Sequence, residues 1–145
     1  MFKHILFPTD GEAPSMAALA QCLAFAKDSG ARLLALHVSA PFQTLSTRPE
    51  QLADTPEDYA AHVRVRSRAL LEQVAAAARA QGVLYETLTV EHEHPYQAIV
   101  DAAREHRCDL VAMASHGRRG IQALLLGSET QKVLTHSNVP VLVFR

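Results

Sequence analysis

FKHILFPTDG (residues 2–11), EAPSMAALAQCLAFAKDSG (12–30) and ARLLALHV (31–38) together decide the fold. Phe2 to Phe7 is a short apolar run ended by Pro8-Thr9-Asp10-Gly11, a length and a stop that suit a buried strand better than a helix. From Pro14 onward, Met16, Leu19, Ala20, Leu23 and Ala24 recur at helical spacing. Pro14 fits the first turn, where its missing N–H costs nothing, and Gly30 can supply the left-handed stop. Arg32 to Val38 is again mostly apolar and strand-like. Two strands separated by a helix cannot pair through a tight hairpin, so they run parallel.

The same switch of period repeats down the chain. A polar loop with Pro41, Pro49 and Pro56 leads to a helix over Glu57 to Gln81. That helix gathers Tyr59, Val63, Leu70, Leu71, Val74 and Ala78 on one face, leaves Arg64, Arg66 and Arg68 on a solvated one, and ends at Gly82. Leu84 to Val90 reads as a third strand. Pro95 opens a helix with Ile99, Val100 and Ala103 inward, and Asp109 to Ala114 is a fourth strand. Ile121 to Leu126 is a short apolar turn, Ser128 to His136 a helix, and Val141 to Phe144 a last strand after Pro140. The fold class is α/β. The 145 residues form one domain, a doubly wound five-stranded parallel sheet with helices on both faces and right-handed crossovers.

Composition narrows the functional classes. With 48% hydrophobic and 20% charged residues, disorder and fibrous architectures are excluded. The 14 Lys+Arg against 15 Asp+Glu give a net charge of -1, which argues against nucleic acid or an anionic membrane as partner. Apolar runs such as Val74 to Ala78 and Leu110 to Ala114 fall far short of the roughly 20 residues that span a bilayer. Asp10 interrupts the N-terminus before a signal-peptide core develops, so a cytoplasmic location is expected. Cys22 and Cys108 stand alone in apolar surroundings and read as buried reduced thiols.

Open α/β sheets take ligands beyond the carboxyl ends of their strands. Two loops stand out there: Pro8-Thr9-Asp10-Gly11, and Ala114-Ser115-His116-Gly117-Arg118-Arg119-Gly120. Neither a Gly-x-Gly-x-x-Gly fingerprint nor a P-loop is present. Gly117 and Gly120, followed by Gly127-Ser128 at a helix start, let the backbone approach an anion and aim free N–H groups at phosphate oxygens. The same residues also fit a plain turn, with Ser128-x-x-Gln131 as a capping box; spacing alone leaves both open.

Eight histidines are many for this length. His92 and His94, beside Glu91 and Glu93, have the spacing of a divalent-metal pair, but no third ligand is patterned nearby, so they are expected to be polar residues of a solvent-facing loop and no metal site is assigned. His116 lies inside the glycine loop. His4, His37, His62, His106 and His136 are scattered through strands and helices.

Taken together, these residues resemble the universal stress protein family over the whole chain. The family's nucleotide motif, Gly-x2-Gly-x9-Gly-Ser/Thr, is matched by Ala114-Ser115-His116-Gly117, nine residues, then Gly127-Ser128. Pro8-Thr9-Asp10 and Val139-Pro140-Val141-Leu142-Val143 match as well. The resemblance implies an adenine nucleotide alpha hydrolase-like fold that binds ATP, with Mg2+, as a stress-response regulator or sensor and with slow or no hydrolysis. No residue is assigned a catalytic role; Arg118 and Arg119 are the candidates for neutralising phosphate charge. The resemblance places Asp10 at the ribose or adenine end with Pro8 and Thr9 beside it, the Val38 backbone at the adenine, and Met113 and Ala114 along the floor. Gly117, Gly127, Ser128 and Glu129 would donate N–H groups to phosphate, joined by the Ser128 hydroxyl. It also implies a homodimer through an edge strand at Val139 to Phe144, with output through a further protein partner. Ala114 replaces the motif's first glycine, at an expected cost of order 1 kcal/mol if that position demands positive φ, and His94 stands where many relatives have glycine. A protein-interaction module of the same fold without nucleotide is the alternative.

Overall fold

The computed structural model describes residues 1–43, 55–115 and 126–145. Five strands and four helices alternate: β1 (His4–Pro8), α1 (Ala13–Ser29), β2 (Arg32–Ser39), α2 (Pro56–Gln81), β3 (Tyr85–Glu91), α3 (Pro95–Glu105), β4 (Leu110–Ala114), α4 (Ser128–His136) and β5 (Val141–Phe144). All pairings are parallel and the sheet order is β3-β2-β1-β4-β5. The chain winds outward from β1 through β2 to β3, then returns to β1 and winds the other way through β4 to β5. The reversal between β1 and β4 is the switch point at which such sheets take ligands.

Side-chain alternation divides the core. Ile5, Phe7, Leu33 and Ala35 face one layer with Leu19, Cys22 and Leu23 of α1 and Leu71, Val74 and Ala78 of α2. Leu6, Leu34, Leu36 and Val111 face the other with Ile99 and Ala102 of α3 and Val133 of α4. The central strands are buried on both faces, which is why they read as continuous apolar runs. Each fully buried Leu, Ile or Val contributes about 1.5–3 kcal/mol of transfer free energy.

The turns follow sequence chemistry. Gly30 (φ 67) and Gly82 (φ 72) close α1 and α2 in the left-handed region, each returning its N–H to the last turn of its helix. Pro14 sits in the first turn of α1, as expected. Pro56 belongs to α2, not to the loop before it: Thr55 is the N-cap and its hydroxyl accepts from Asp58 N–H at 3.1 Å, a Thr-Pro-Glu-Asp start visible in the sequence.

Other differences are local. The buried stripe of α1 is Ala18, Leu19, Cys22, Leu23 and Ala26, whereas Ala20 and Ala24 face solvent; alanine is compatible with either side. The first strand starts at His4, leaving Phe2 to stack near Phe25. The third starts at Tyr85, and Leu84 is 78% exposed in the turn before it. In the last segment Val139 and Pro140 precede the strand, Pro140 offering its carbonyl to Val111 N–H. The turn at 121–126 lies outside the described residues except Leu126. Arg64, Arg66 and Arg68 are exposed, and Cys22 and Cys108 are buried free thiols, as expected. No helix among the described residues is long and apolar enough to cross a membrane.

Candidate functional site

At the carboxyl edge of the sheet, the loop after β1 is built from its own polar groups. Thr9 is buried and donates its N–H to Leu36 C=O at 2.9 Å. Its hydroxyl contacts Ser15 Oγ at 2.5 Å and accepts from Gly11 N–H at 3.2 Å. Asp10 is exposed, and its Oδ1 accepts from Glu12 N–H at 2.9 Å, an Asx-type turn that holds the carboxylate at the rim. Gly11 has φ +80, which favours glycine, and a Cβ there would meet Leu70 Cδ1 of α2 at 2.9 Å, so the Leu70 side chain would have to shift to admit one.

Beside this loop, β2 runs beyond the end of β1. In a parallel ladder, alternate residues turn both N–H and C=O to the same neighbour. Arg32 and Leu36 bond toward β1, whereas Leu33 and Ser39 bond toward β3 and the turn after it. Val38 shares the parity of Leu36, so its N–H and C=O point toward β1 one step past the rung made by Thr9 N–H. A donor and an acceptor are thus presented on a rigid strand above Thr9 and Asp10. Ala40, just beyond, is tied to α2 by Tyr59 Oη–H at 2.6 Å.

Next to Val38, His37 turns to the opposite layer, where its Nδ1 lies 2.7 Å from Ser67 Oγ of α2. Burial, with Arg66 adding to it and Asp10 opposing, holds this imidazole below its ordinary pKa. Sequence reading passed over this pair because the two residues are thirty positions apart.

Across the switch point, the ends of the glycine loop converge. Ser115 N–H donates to Phe144 C=O at 2.7 Å, and Ser115 C=O accepts from Gly127 N–H at 2.7 Å. Buried Thr130 donates its hydroxyl to Ala114 C=O at 3.1 Å. These bonds fix the start of α4 against the end of β4, although the two are far apart in sequence.

This arrangement bears on what residue types alone suggested for the start of α4 and for Ala114. Gly127 is the N-cap and its N–H is bonded to Ser115 C=O; Ser128 and Glu129 open the helix and keep the N–H groups that helix geometry leaves free. There is no capping box, because Ser128 makes no cap bond and Gln131 Nε2 donates to Leu126 C=O at 2.9 Å. Ala114 is the last residue of β4, and Arg107 is the one non-glycine at positive φ among the described residues, so alanine at 114 carries no torsional cost. Met113 is 7% exposed and its side chain belongs to the core beneath α3 and α4. Gly117, Gly120, His116, Arg118 and Arg119 lie outside the described residues.

Glu129 and Tyr96 join α4 to α3. Glu129 Oε2 accepts from Tyr96 N–H at 2.9 Å, and its Oε1 lies 3.5 Å from Lys132 Nζ. Tyr96 stacks at 4.9 Å on His136 and carries Lys132 Nζ over its ring at 5.5 Å. Pro95 has no N–H, and Gln97 and Ala98 donate to His94 C=O, so the start of α3 is internally satisfied. His92 Nδ1 lies 2.8 Å from His94 N–H and accepts from it; its proton therefore sits on Nε2 in the neutral ring, the wrong tautomer for a metal ligand at that atom. No group of three His, Cys, Asp or Glu able to hold a metal occurs among the described residues.

The Universal stress protein family profile matches residues 1–145. The Thermus aquaticus universal stress protein from the QAH/OAS sulfhydrylase 3′ region is 34% identical over 147 aligned residues, covering 100% of both chains. The structure of MJ0577 from Methanocaldococcus jannaschii superposes with a TM-score of 0.83 at 27% identity, over 99% of this chain and 95% of the other. Two further structures share the fold: a universal stress protein in complex with cAMP, with a TM-score of 0.72 at 23% identity over 99% and 97% of the chains, and an Archaeoglobus fulgidus universal stress protein in complex with dAMP, with a TM-score of 0.71 at 16% identity over 100% and 98%.

Proposed function

The chain belongs to the universal stress protein family, and on that footing we propose that it binds an adenine nucleotide at the carboxyl end of its sheet and serves as a stress-response regulator or sensor. The observation that carries this reading is the hydrogen-bond parity of β2, which turns the Val38 backbone donor and acceptor toward the end of β1, one step past the rung made by Thr9 N–H. The edge of adenine offers the complementary acceptor and donor. Asp10 accepts from ribose hydroxyls, with Pro8 and Thr9 beside it, and Met113 and Ala114 form the floor through their strand backbone. Ser128 and Glu129 N–H groups and the Ser128 hydroxyl donate to phosphate, with Gly117 completing the cradle. The cAMP and dAMP complexes of two proteins of this fold support the ligand class.

ATP carried with Mg2+ is the fullest occupant. The ion would take its ligands from phosphate oxygens and water. Hydrolysis needs one group to orient water and another to neutralise developing charge. The reading assigns no residue to the first role, so turnover is slow or absent and signalling passes to a protein partner in the cytoplasm. Edge strand β5 (Val141–Phe144), each residue half-buried, pairs across a two-fold axis in a homodimer together with Val139 and Pro140.

Calorimetry on protein stripped of nucleotide tests the ligand. Binding of ATP or AMP is expected to be weakened by Asp10→Ala and nearly abolished by Ser128→Asp, which favours the helix start but places a carboxylate where phosphate would sit. No heat with either nucleotide at millimolar concentration, with Mg2+ present, sinks the reading. A protein that binds neither yet still dimerises is the interaction module instead, a reading favoured by the bonded N–H of Gly127. A monomeric sedimentation profile removes the dimer.

A further inference from the structure

At the amino edge of the sheet, opposite the two ligand loops, the start of β1 carries a buried histidine that nucleotide binding does not use. Side-chain alternation puts His4, Arg32 and Glu86 on the face of Leu6, Leu34 and Leu88, beneath α3. His4 is 5% exposed. Its ladder partner on β2 is Arg32, whose Nη2 lies 3.4 Å from His4 Nδ1. A guanidinium has donors only, so Nδ1 accepts and the proton of the neutral ring sits on Nε2. That Nε2 is buried and has no hydrogen-bond partner among the described residues, a donor left unpaired where desolvation is costly. The ring is satisfied on one side only.

The backbone around the ring is held independently of its charge. Asp109 Oδ2 and Oδ1 accept from Lys3 N–H at 2.8 Å and His4 N–H at 3.0 Å, while Asp109 N–H donates to His4 C=O at 2.9 Å. Arg32 N–H donates to Lys3 C=O at 3.0 Å. A change of protonation therefore acts on side chains and leaves the start of β1 in place.

Charged groups act on the ring from every side of this corner. Burial, then Arg32 on β2, favours the neutral form; the His106 backbone at the C-cap of α3, Glu86 on β3 and Asp109 before β4 favour the charged one. A proton added at Nδ1 would face the donors of Arg32. The charge it creates suits the carbonyl end of α3, where the helix dipole favours cations.

We propose that His4 is a two-position proton switch: neutral, it accepts from Arg32 of β2; protonated, it releases Arg32 to water and donates through Nε2 to the His106 carbonyl at the end of α3. The exchange replaces a tie between two strands with a tie between β1 and α3, and it draws on no feature of the nucleotide site. Because burial leads the balance, the folded ring takes up its proton less readily than the unfolded one. The stability this residue contributes is full above the unfolded value near 6.5 and is lost as pH falls from there to the folded value.

The test follows the side-chain nitrogens of the full chain by proton–nitrogen correlation spectroscopy from neutral to mildly acidic pH, with His4→Gln assigning the ring. At neutral pH His4 should be the Nε2–H tautomer, and on acidification the Arg32 guanidinium signal should move with the same midpoint as the ring. In His4→Gln, which cannot titrate, that movement should vanish. Arg32→Gln keeps a donor and removes the charge; it should raise the proton affinity of His4 roughly two- to five-fold, the size of a partly exposed charge pair, whereas Glu86→Gln should lower it. An Nδ1–H tautomer at neutral pH, a ring that titrates at or above the ordinary histidine value, or an Arg32 signal indifferent to the ring overturns the proposal, as does Arg32→Gln leaving the affinity unchanged. A merely structural His4 predicts that indifferent Arg32, and the wild-type spectra decide the matter even where a variant does not fold.

Discussion

Gly11→Ala tests how the first ligand loop is held. Glycine at φ +80 carries no side-chain penalty, whereas alanine in the left-handed region loses about 1–2 kcal/mol. The new Cβ would lie 2.9 Å from Leu70 Cδ1 and 3.4 Å from Cδ2. Leu70 is 7% exposed, so it must leave its rotamer, at roughly 0.5–1.5 kcal/mol. The stiffer unfolded chain returns about 0.4–1 kcal/mol. The net loss is about 0.5–3 kcal/mol, at about 3 °C of melting temperature per kcal/mol for a chain of this size. Gly82→Ala is the internal control: its φ is +72, but nothing lies within 4 Å of the added Cβ, so it bears the torsional part alone. Urea unfolding should place Gly11→Ala below Gly82→Ala by the Leu70 term, and Leu70→Ala in the Gly11→Ala background should recover that difference in a double-mutant cycle. Equal losses for the two glycines, or no coupling to Leu70, would refute the close packing of this loop on α2. Because Asp10 precedes Gly11, nucleotide affinity should fall with the same variant.

Two other outcomes follow from buried titratable groups. In His37, burial lowers the folded pKa below the unfolded value near 6.5, so the folded state binds fewer protons; stability is fully present above that pH and is lost as pH falls below it toward the folded pKa. His37→Asn, which keeps an acceptor for Ser67, should reduce the drop in urea midpoint between neutral and mildly acidic buffer, and an unaltered drop would show that His37 does not contribute. Burial pushes the Cys22 thiol up to about 12 and Cys108 up to about 11. Neither should react with a disulfide reagent in native protein at mildly alkaline pH, and both should react in guanidinium; rapid labelling of native protein would contradict their burial.

Much of the fold was legible because its signals are local. A buried parallel strand must be apolar on both faces, as Ile5 to Phe7 and Leu33 to Leu36 are, and a helix that stops abruptly needs a residue such as Gly30 or Gly82 that tolerates positive φ. Helix faces were less legible where alanine dominates: Ala20 and Ala24 were exchanged for Ala18, Cys22 and Ala26, since a methyl group carries little information about which side is buried. The two loops at the carboxyl edge are suggested by their residue types, and the resemblance alone suggests the Val38 backbone; residues 116–120 of the second loop lie outside the described residues.

The alternation of elements and the membership of the family are written in residue order and type alone. Tertiary structure decided what the carboxyl edge can offer. Only once α4 packs back against the end of β4 does Ser115 meet Gly127 and take up its N–H. Only the relative lengths of β1 and β2 turn Val38 into a presented donor and acceptor, and only the packing of α3 on α4 carries the Glu129 carboxylate to Tyr96. Backbone hydrogen bonds are chosen by neighbours brought together from distant positions, so a residue's type states what it can donate or accept, while the fold states whether that capacity is still free.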